Sequence, residues 1–176
     1  MCKFVNAEGI LYFCITIISA VMTRKIYLSL GSNSGDREAM LESALARIGA
    51  LGELQVSPVF RSEPVGFESQ NGFLNVGAVL TVECGDGFGA EDAEALLRRF
   101  KAIESGLSAM PHRNADGSYR DREIDIDIVA VEGLRMCTPV LTLPHPRAPE
   151  RAFVVQPLKE LGVDTDALFK RPDETN

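Results

Sequence analysis

From Phe73 to Val82 the chain alternates strictly. Leu74, Val76, Ala78, Leu80 and Val82 fall on one face of an extended strand, and Phe73, Asn75, Gly77, Val79 and Thr81 on the other. A strand written this way has one face for a core and a second for other work, as in an antiparallel sheet with its helices on one side. A second run, Arg122-Glu123-Ile124-Asp125-Ile126-Asp127-Ile128-Val129, has the same period. Ile124, Ile126 and Ile128 form its apolar row, while Asp125 and Asp127 project together from the opposite face with Cα atoms about 7 Å apart.

The remaining segments fit round these two. Ile26 to Leu30 reads as a short buried strand that ends at Gly31-Ser32-Asn33, and Ser34 or Asp36 caps a helix whose apolar stripe is Leu41, Leu45 and Ile48. Leu54 to Glu63 reads as a strand interrupted by Pro58. A Gly-rich turn at 85–89 leads to a second helix with Ala93, Leu96, Leu97, Phe100, Ile103 and Leu107 inward and Glu104 at the border of that face. A polar loop over 108–121 precedes the acidic strand. A hairpin near Glu132-Gly133, the proline-rich stretch 142–149 and a helix over 153–161 close the pattern. The order β-α-β-β-α-β is that of an α+β, ferredoxin-like sandwich with an antiparallel sheet and a C-terminal extension.

At 176 residues, 45% hydrophobic and 24% charged, the sequence describes a single globular domain over 22–176. A net charge of −7 argues against a nucleic-acid surface. The four scattered cysteines form no C-x-x-C pair, which fits a reducing cytoplasm. Ile10 to Met22 is an apolar run of 13 residues, too short to span a membrane as an ordinary helix. Lys3 against Glu8 makes a poor signal-peptide start, so 1–21 is expected to be an extension outside the fold, without membrane attachment.

Three clusters carry chemistry. Asp125 and Asp127 with Arg122 suit Mg²⁺ and a polyphosphate, because Mg²⁺ takes a few carboxylates and completes its shell with phosphate and water oxygens. Arg122 adds a permanently charged planar fork. Taken alone, the D-x-D is also what a solvated acidic strand would show. Phe73 and Asn75 offer a ring and an amide to a flat heterocycle, or an aromatic under a loop beside a solvated amide. His145 and Arg151, on a proline-stiffened loop, form a phosphate clamp or simply face water. Arg113, Arg120 and His112 in the polar loop carry weaker signals. No P-loop and no G-x-G-x-x-G fingerprint is present.

Together these residues resemble the 6-hydroxymethyl-7,8-dihydropterin pyrophosphokinase family over about 25–162. The markers are Leu30-Gly31-Ser32-Asn33, Phe60-Arg61-Ser62-Glu63-Pro64-Val65-Gly66, Phe73-Leu74-Asn75, Ile103-Glu104, Arg122-x-x-Asp125-Ile126-Asp127-Ile128, Leu143-Pro144-His145-Pro146 and Arg151-Ala152-Phe153. The resemblance implies a folate-pathway transferase that moves the pyrophosphoryl group of ATP to the pterin hydroxymethyl oxygen and releases AMP. It implies two Mg²⁺ on Asp125 and Asp127, with Arg122, Asp127 and His145 in catalytic roles. The pterin is expected between Phe73 and Phe153, read by Asn75 and by backbone near Ser62 and Val65. ATP is expected against Glu104, Arg122, Ile128, Thr142, His145 and Arg151. The expected partners are these small molecules alone, bound by a monomer. Ser108-Ala109 stands where the family usually has Gly-Arg, Arg120-Asp121 where Gly-Pro is common, and Pro146 where Tyr is frequent. A noncatalytic ferredoxin-like binding module, or a degenerate homologue that binds pterin and ATP without efficient turnover, is the competing reading.

Overall fold

The computed structural model describes residues 4–5, 11–12, 22–65, 69–85, 87–108 and 120–170. In chain order the elements are β1 (Phe4–Val5), β2 (Leu11–Tyr12), β3 (Met22–Ser32), α1 (Arg37–Gly49), β4 (Glu53–Val56), β5 (Phe60–Ser62), β6 (Phe73–Cys84) and α2 (Ala90–Leu107). They continue as β7 (Asp125–Val131), β8 (Met136–Cys137), β9 (Thr142–Leu143), a 3-10 turn (Ala148–Glu150), α3 (Ala152–Glu160) and α4 (Thr165–Phe169). The main sheet has the order β4-β6-β3-β7 with every neighbour antiparallel, and β5 pairs with β6 further along. From β3 to β7 this is the expected βαββαβ succession, its second strand split in two. β1 and β2 pair with each other in a sheet of their own; the rest of 1–21 lies outside the described residues.

The alternation in the sequence explains the layers. β3 and β6 run in unbroken register from Met22↔Cys84 to Ser32↔Leu74. This aligns Ile26, Leu28 and Leu30 with Leu80, Ala78 and Val76. With Ile124, Ile126 and Ile128 they form one apolar face, covered by Leu41, Ala44 and Ile48 of α1 and by Ala93, Leu96 and Phe100 of α2. Burial of that face is the main favourable term in the fold.

The second face is divided. A smaller cluster of Val129, Ala148, Val154 and Leu158 seats α3 on it, with Tyr27, Phe153 and Phe169 at the margin. The seat works because Gly77 has no side chain: a Cβ there would lie 2.9 Å from Pro157 Cβ and 3.0 Å from its carbonyl carbon. Beyond α3, the same face carries Gly31, Asn75, Asp125 and Asp127.

The break at Pro58 falls where the sequence places it. Ser57 spans it by donating its N–H to the Gly77 carbonyl (2.9 Å) and accepting the Gly77 N–H on Oγ (2.9 Å). Of the two candidate caps for α1, Asp36 is the one used, accepting from the Ala39 N–H. The hairpin expected near Glu132-Gly133 is present but minimal: Val131 and Leu134 form a single antiparallel bridge across the turn, closed by Leu134 N–H to Val131 O at 3.1 Å. Past that bridge the chain turns to a new partner, and β8 pairs with β9. The C-terminal extension proves integral, since it supplies the cover for the second face.

Gly77→Ala is expected to lower the unfolding free energy by about 1–3 kcal/mol, because the added methyl must push α3 off the sheet. Gly85→Ala, which meets nothing within 4 Å, serves as the neutral control in urea unfolding. Equal midpoints for the two variants would contradict the close seating of α3.

Candidate active site

Cross-strand register assembles the site. Asp125 pairs with Gly31, Gly31 with Asn75, and Asn75 with Phe60, one row across four strands. The adjacent row is Asp127, Ser29 and Gly77. Side chains in such rows share a face, so the acidic pair and the Phe73–Asn75 pair, distant in sequence, are brought together. Gly31 makes room between them: a Cβ would sit 3.1 Å from Asn75 Oδ1 and 3.5 Å from Phe73 Cδ1. Asn75 is buried, and its Nδ2 donates to Ser62 Oγ (3.0 Å) and Phe60 O (3.2 Å). These bonds fix the amide so that Oδ1 faces the Gly31 side. Val65 is exposed just past β5.

The acidic pair is electrostatically loaded. Arg122 donates through Nη1 to Asp125 Oδ2. Burial first, and then the charge of Asp125, push the Asp127 carboxyl above its ordinary range, against the pull of Lys101, His145 and Arg151. Glu104 lies beneath the strand, only 2% exposed. Its Oε1 accepts the Ile126 N–H at 2.6 Å and Lys101 Nζ at 2.9 Å, capping the open edge of β7. Burial raises the Glu104 pKa, opposed by Lys101. Burial works against the Lys101 charge, yet Glu104, Asp125 and Asp127 outweigh it and raise its pKa.

The loop residues arrive through a bulge. The β3–β7 register slips between Tyr27 and Leu28, leaving Val129 as an extra residue on β7. The Val129 carbonyl accepts the His145 N–H at 2.8 Å, just after the cis Leu143–Pro144 bond. His145 Nδ1 accepts the Arg147 N–H at 3.2 Å, which puts the proton of a neutral ring on Nε2. Burial, with Arg151 adding to it and Asp127 opposing, lowers the His145 pKa. Arg151 lies over the Phe153 ring, 5.6 Å from its centroid, and its Nε is buried without a hydrogen-bond partner among the described residues. Thr142 pairs with Cys137 across β8–β9. The Ile128 side chain belongs to the main core. Its backbone N–H and C=O point to the same open edge as those of Ile126, since strand donors alternate.

Two residues without a role in the sequence reading hold this arrangement. Asn33, 1% exposed, exchanges bonds with Arg122: its N–H donates to Arg122 O (3.0 Å) and its Oδ1 accepts the Arg122 N–H (2.8 Å). Its Nδ2 reaches Asp121 Oδ1 at 2.7 Å, and Asp121 Oδ2 accepts from Asn71. The second is Lys101, which a helix of mixed charges conceals beside Arg98 and Arg99. Its spacing of three from Glu104 is the signal that could have found it. Arg120 is half-buried; His112, Arg113, Tyr119 and Gly66 lie outside the described residues.

Among the described residues no group of three or more His, Cys, Asp or Glu side chains could hold a metal. A cation bound by Asp125 and Asp127 would therefore complete its shell with water and phosphate oxygens, which is the habit of Mg²⁺. Two carboxylates on one strand face, one of them resisting ionisation because of burial and then because of the other, fit such an ion.

Residues 27–163 match the 7,8-dihydro-6-hydroxymethylpterin-pyrophosphokinase (HPPK) family. The chain is similar to the 2-amino-4-hydroxy-6-hydroxymethyldihydropteridine pyrophosphokinase of Porphyromonas gingivalis, 39% identical over 142 residues, 78% of this chain and 90% of that protein. The Methylorubrum extorquens protein of the same name is 36% identical over 146 residues, covering 81% and 85%. That of Bacillus subtilis is 33% identical over 158 residues, covering 87% and 88%.

Because the folded-state pKa of Asp127 lies above its unfolded value, the native protein binds the proton more tightly. Stability is therefore lost as pH rises from the unfolded pKa through the folded one. Asp127→Asn in metal-free buffer is expected to raise the urea midpoint at pH 7. The gain should shrink as pH falls toward about 3.9, the unperturbed aspartate value. A midpoint at pH 7 no higher than wild type would contradict this account of the carboxylate.

Proposed function

The chain belongs to the 7,8-dihydro-6-hydroxymethylpterin-pyrophosphokinase family, and from that premise we propose that ATP and the pterin meet on the Asp125–Asn75 end of its sheet. The protein is a pyrophosphokinase of folate biosynthesis. The hydroxymethyl oxygen of 6-hydroxymethyl-7,8-dihydropterin bonds to the β-phosphorus of ATP. The bond from that phosphorus to the bridging oxygen breaks, its electron pair leaves with AMP, and the hydroxyl proton is released.

The observation that supports this siting is the register row Asp125–Gly31–Asn75–Phe60, which sets a carboxylate and a fixed amide on one surface. Asp125 and Asp127 hold two Mg²⁺ ions. Bound there, Mg²⁺ neutralises polyphosphate charge and favours the deprotonated form of an oxygen it ligates. Phe73 and Phe153 take the two faces of the pterin. Asn75 Oδ1 and backbone near Ser62 and Val65 read its edge, and the Nδ2 bonds to β5 leave Oδ1 for that work.

Arg122 and Arg151 contact the phosphates, Arg151 bringing a buried Nε that has no hydrogen bond among the described residues. Neutral His145 donates from Nε2 to a phosphate oxygen. Ile128 flanks the adenine through its edge-facing backbone, with Thr142 beside it. Glu104 acts on the nucleotide at one remove, by holding β7 and Lys101 in place. Catalysis then rests on positioning and on charges already set in place, as in other phosphoryl transfers. Among the described residues no helix is long and apolar enough to cross a membrane. The free thiols Cys84 and Cys137 accord with a reducing cytoplasm.

The test is AMP release from ATP and Mg²⁺, with and without 6-hydroxymethyl-7,8-dihydropterin. Release should require the pterin, and the double variant Asp125→Ala/Asp127→Ala should lose at least about 10³-fold in rate. ADP as the product would overturn the reaction, and an active double variant would overturn the site.

A further inference from the structure

Lys101 is a cation placed against the carboxylate pair from a neighbouring element. It lies on α2, three residues before Glu104. Its Nζ is 2.9 Å from Glu104 Oε1 and 4.0 Å from Asp125 Oδ1. The other oxygen of Asp125, Oδ2, receives Arg122. Asp125 therefore has a positive group at each oxygen, one reaching it from its own strand segment and one from the helix. The two differ in freedom. The Arg122 side chain is 17% exposed and tied down by the Asn33 bonds to its backbone, whereas that of Lys101 is 46% exposed on a flexible stem.

A divalent cation entering beside Asp125 would meet the ammonium at close range, where like charges repel strongly in a partly desolvated site. A polyphosphate offers the ammonium another partner without moving Glu104. We propose that Lys101 is the resident counter-ion of the Asp125–Asp127 pair: it keeps divalent cations off the nucleotide-free site and turns to phosphate when nucleotide arrives, so that metal and nucleotide load together. This rests on the reading of Asp125 and Asp127 as the metal ligands. It assigns Lys101 a positioning role in the order of binding, expressed as a coupling between two ligands.

The experiment titrates Mn²⁺, followed by its paramagnetic resonance signal, into wild type, Lys101→Gln, Lys101→Met, Lys101→Arg and Asp125→Asn. Each titration is run with and without α,β-methylene-ATP. Gln preserves a donor to Glu104 and Met the stem, and circular dichroism with thermal melting selects the folded protein. Without nucleotide, the neutral variants should bind Mn²⁺ about tenfold more tightly than wild type, and Lys101→Arg should stay near wild type. With the analogue bound, the advantage should disappear. Neutral variants that bind Mn²⁺ no more tightly than wild type in the absence of nucleotide would overturn the counter-ion role alone. Mn²⁺ binding indifferent to Asp125→Asn with or without the analogue would overturn the metal reading, and the proposal with it.

Discussion

The register between β3 and its two neighbours is the constraint on which the site depends. Side chains alternate with a period of two, so a slip of one residue would carry Asp125, Asp127 and Asn75 into the core and turn the isoleucines outward. The apolar rows already penalise that slip. The reciprocal bonds between Asn33 and Arg122 oppose it again at the end of the sheet where the aspartates sit. They clamp the residue after β3 to a residue just before β7, so that Gly31 faces Asp125. One buried amide thus aligns the carboxylates, aims the start of the acidic strand and, through Asp121 and Asn71, ties down the turn leading into Phe73.

Charge at the site is balanced locally and at some cost. Asp127 ionises against burial and against Asp125. Glu104 is buried beneath them, and is tolerable there because it satisfies a strand-edge N–H and Lys101. A protein selected for stability alone would not assemble three carboxylates in this way. A protein that must receive a strongly anionic substrate gains from holding part of its charged machinery in advance, because those groups need not reorganise when the substrate binds.

How much of this was legible follows from the range of each signal. Periodicity is local, so the β6 and β7 alternation, the α2 stripe and the break at Pro58 could be read directly. The convergence of Asp125 with Asn75 needed only the strand order, which the element succession supplied. Glu104 was legible as a residue at the margin of an apolar face; that its carboxylate bonds a neighbouring strand was not, because helix periodicity is silent about what lies opposite. Asn33 carries no local signal, since its partner Arg122 is 89 residues away in sequence; Lys101 has a local partner in Glu104, but its approach to Asp125 on another element is not legible from the helix. The turn at Gly133 is legible from its residues and closes a single bridge, whereas the pairing of the next strand with β9 is not a local signal.

The bulge at Val129 shows why a loop histidine could not be weighed from sequence. His145 sits in a proline-rich stretch with nothing local to distinguish it from a surface residue. Its position is decided on another element, where one surplus residue in β7 turns a carbonyl outward to accept the His145 N–H. The same surplus residue puts the Val129 side chain into the small cluster that seats α3. Arg151 and Phe153 stand at the start of that helix, so a single irregularity in one strand fixes the histidine and anchors the element carrying the other two. Regular pairing of β7 along its whole length would keep the aspartates in place and leave both unanchored. His145, Arg151 and Phe153 therefore depend on the one point where β7 departs from the alternation that makes the rest of it readable.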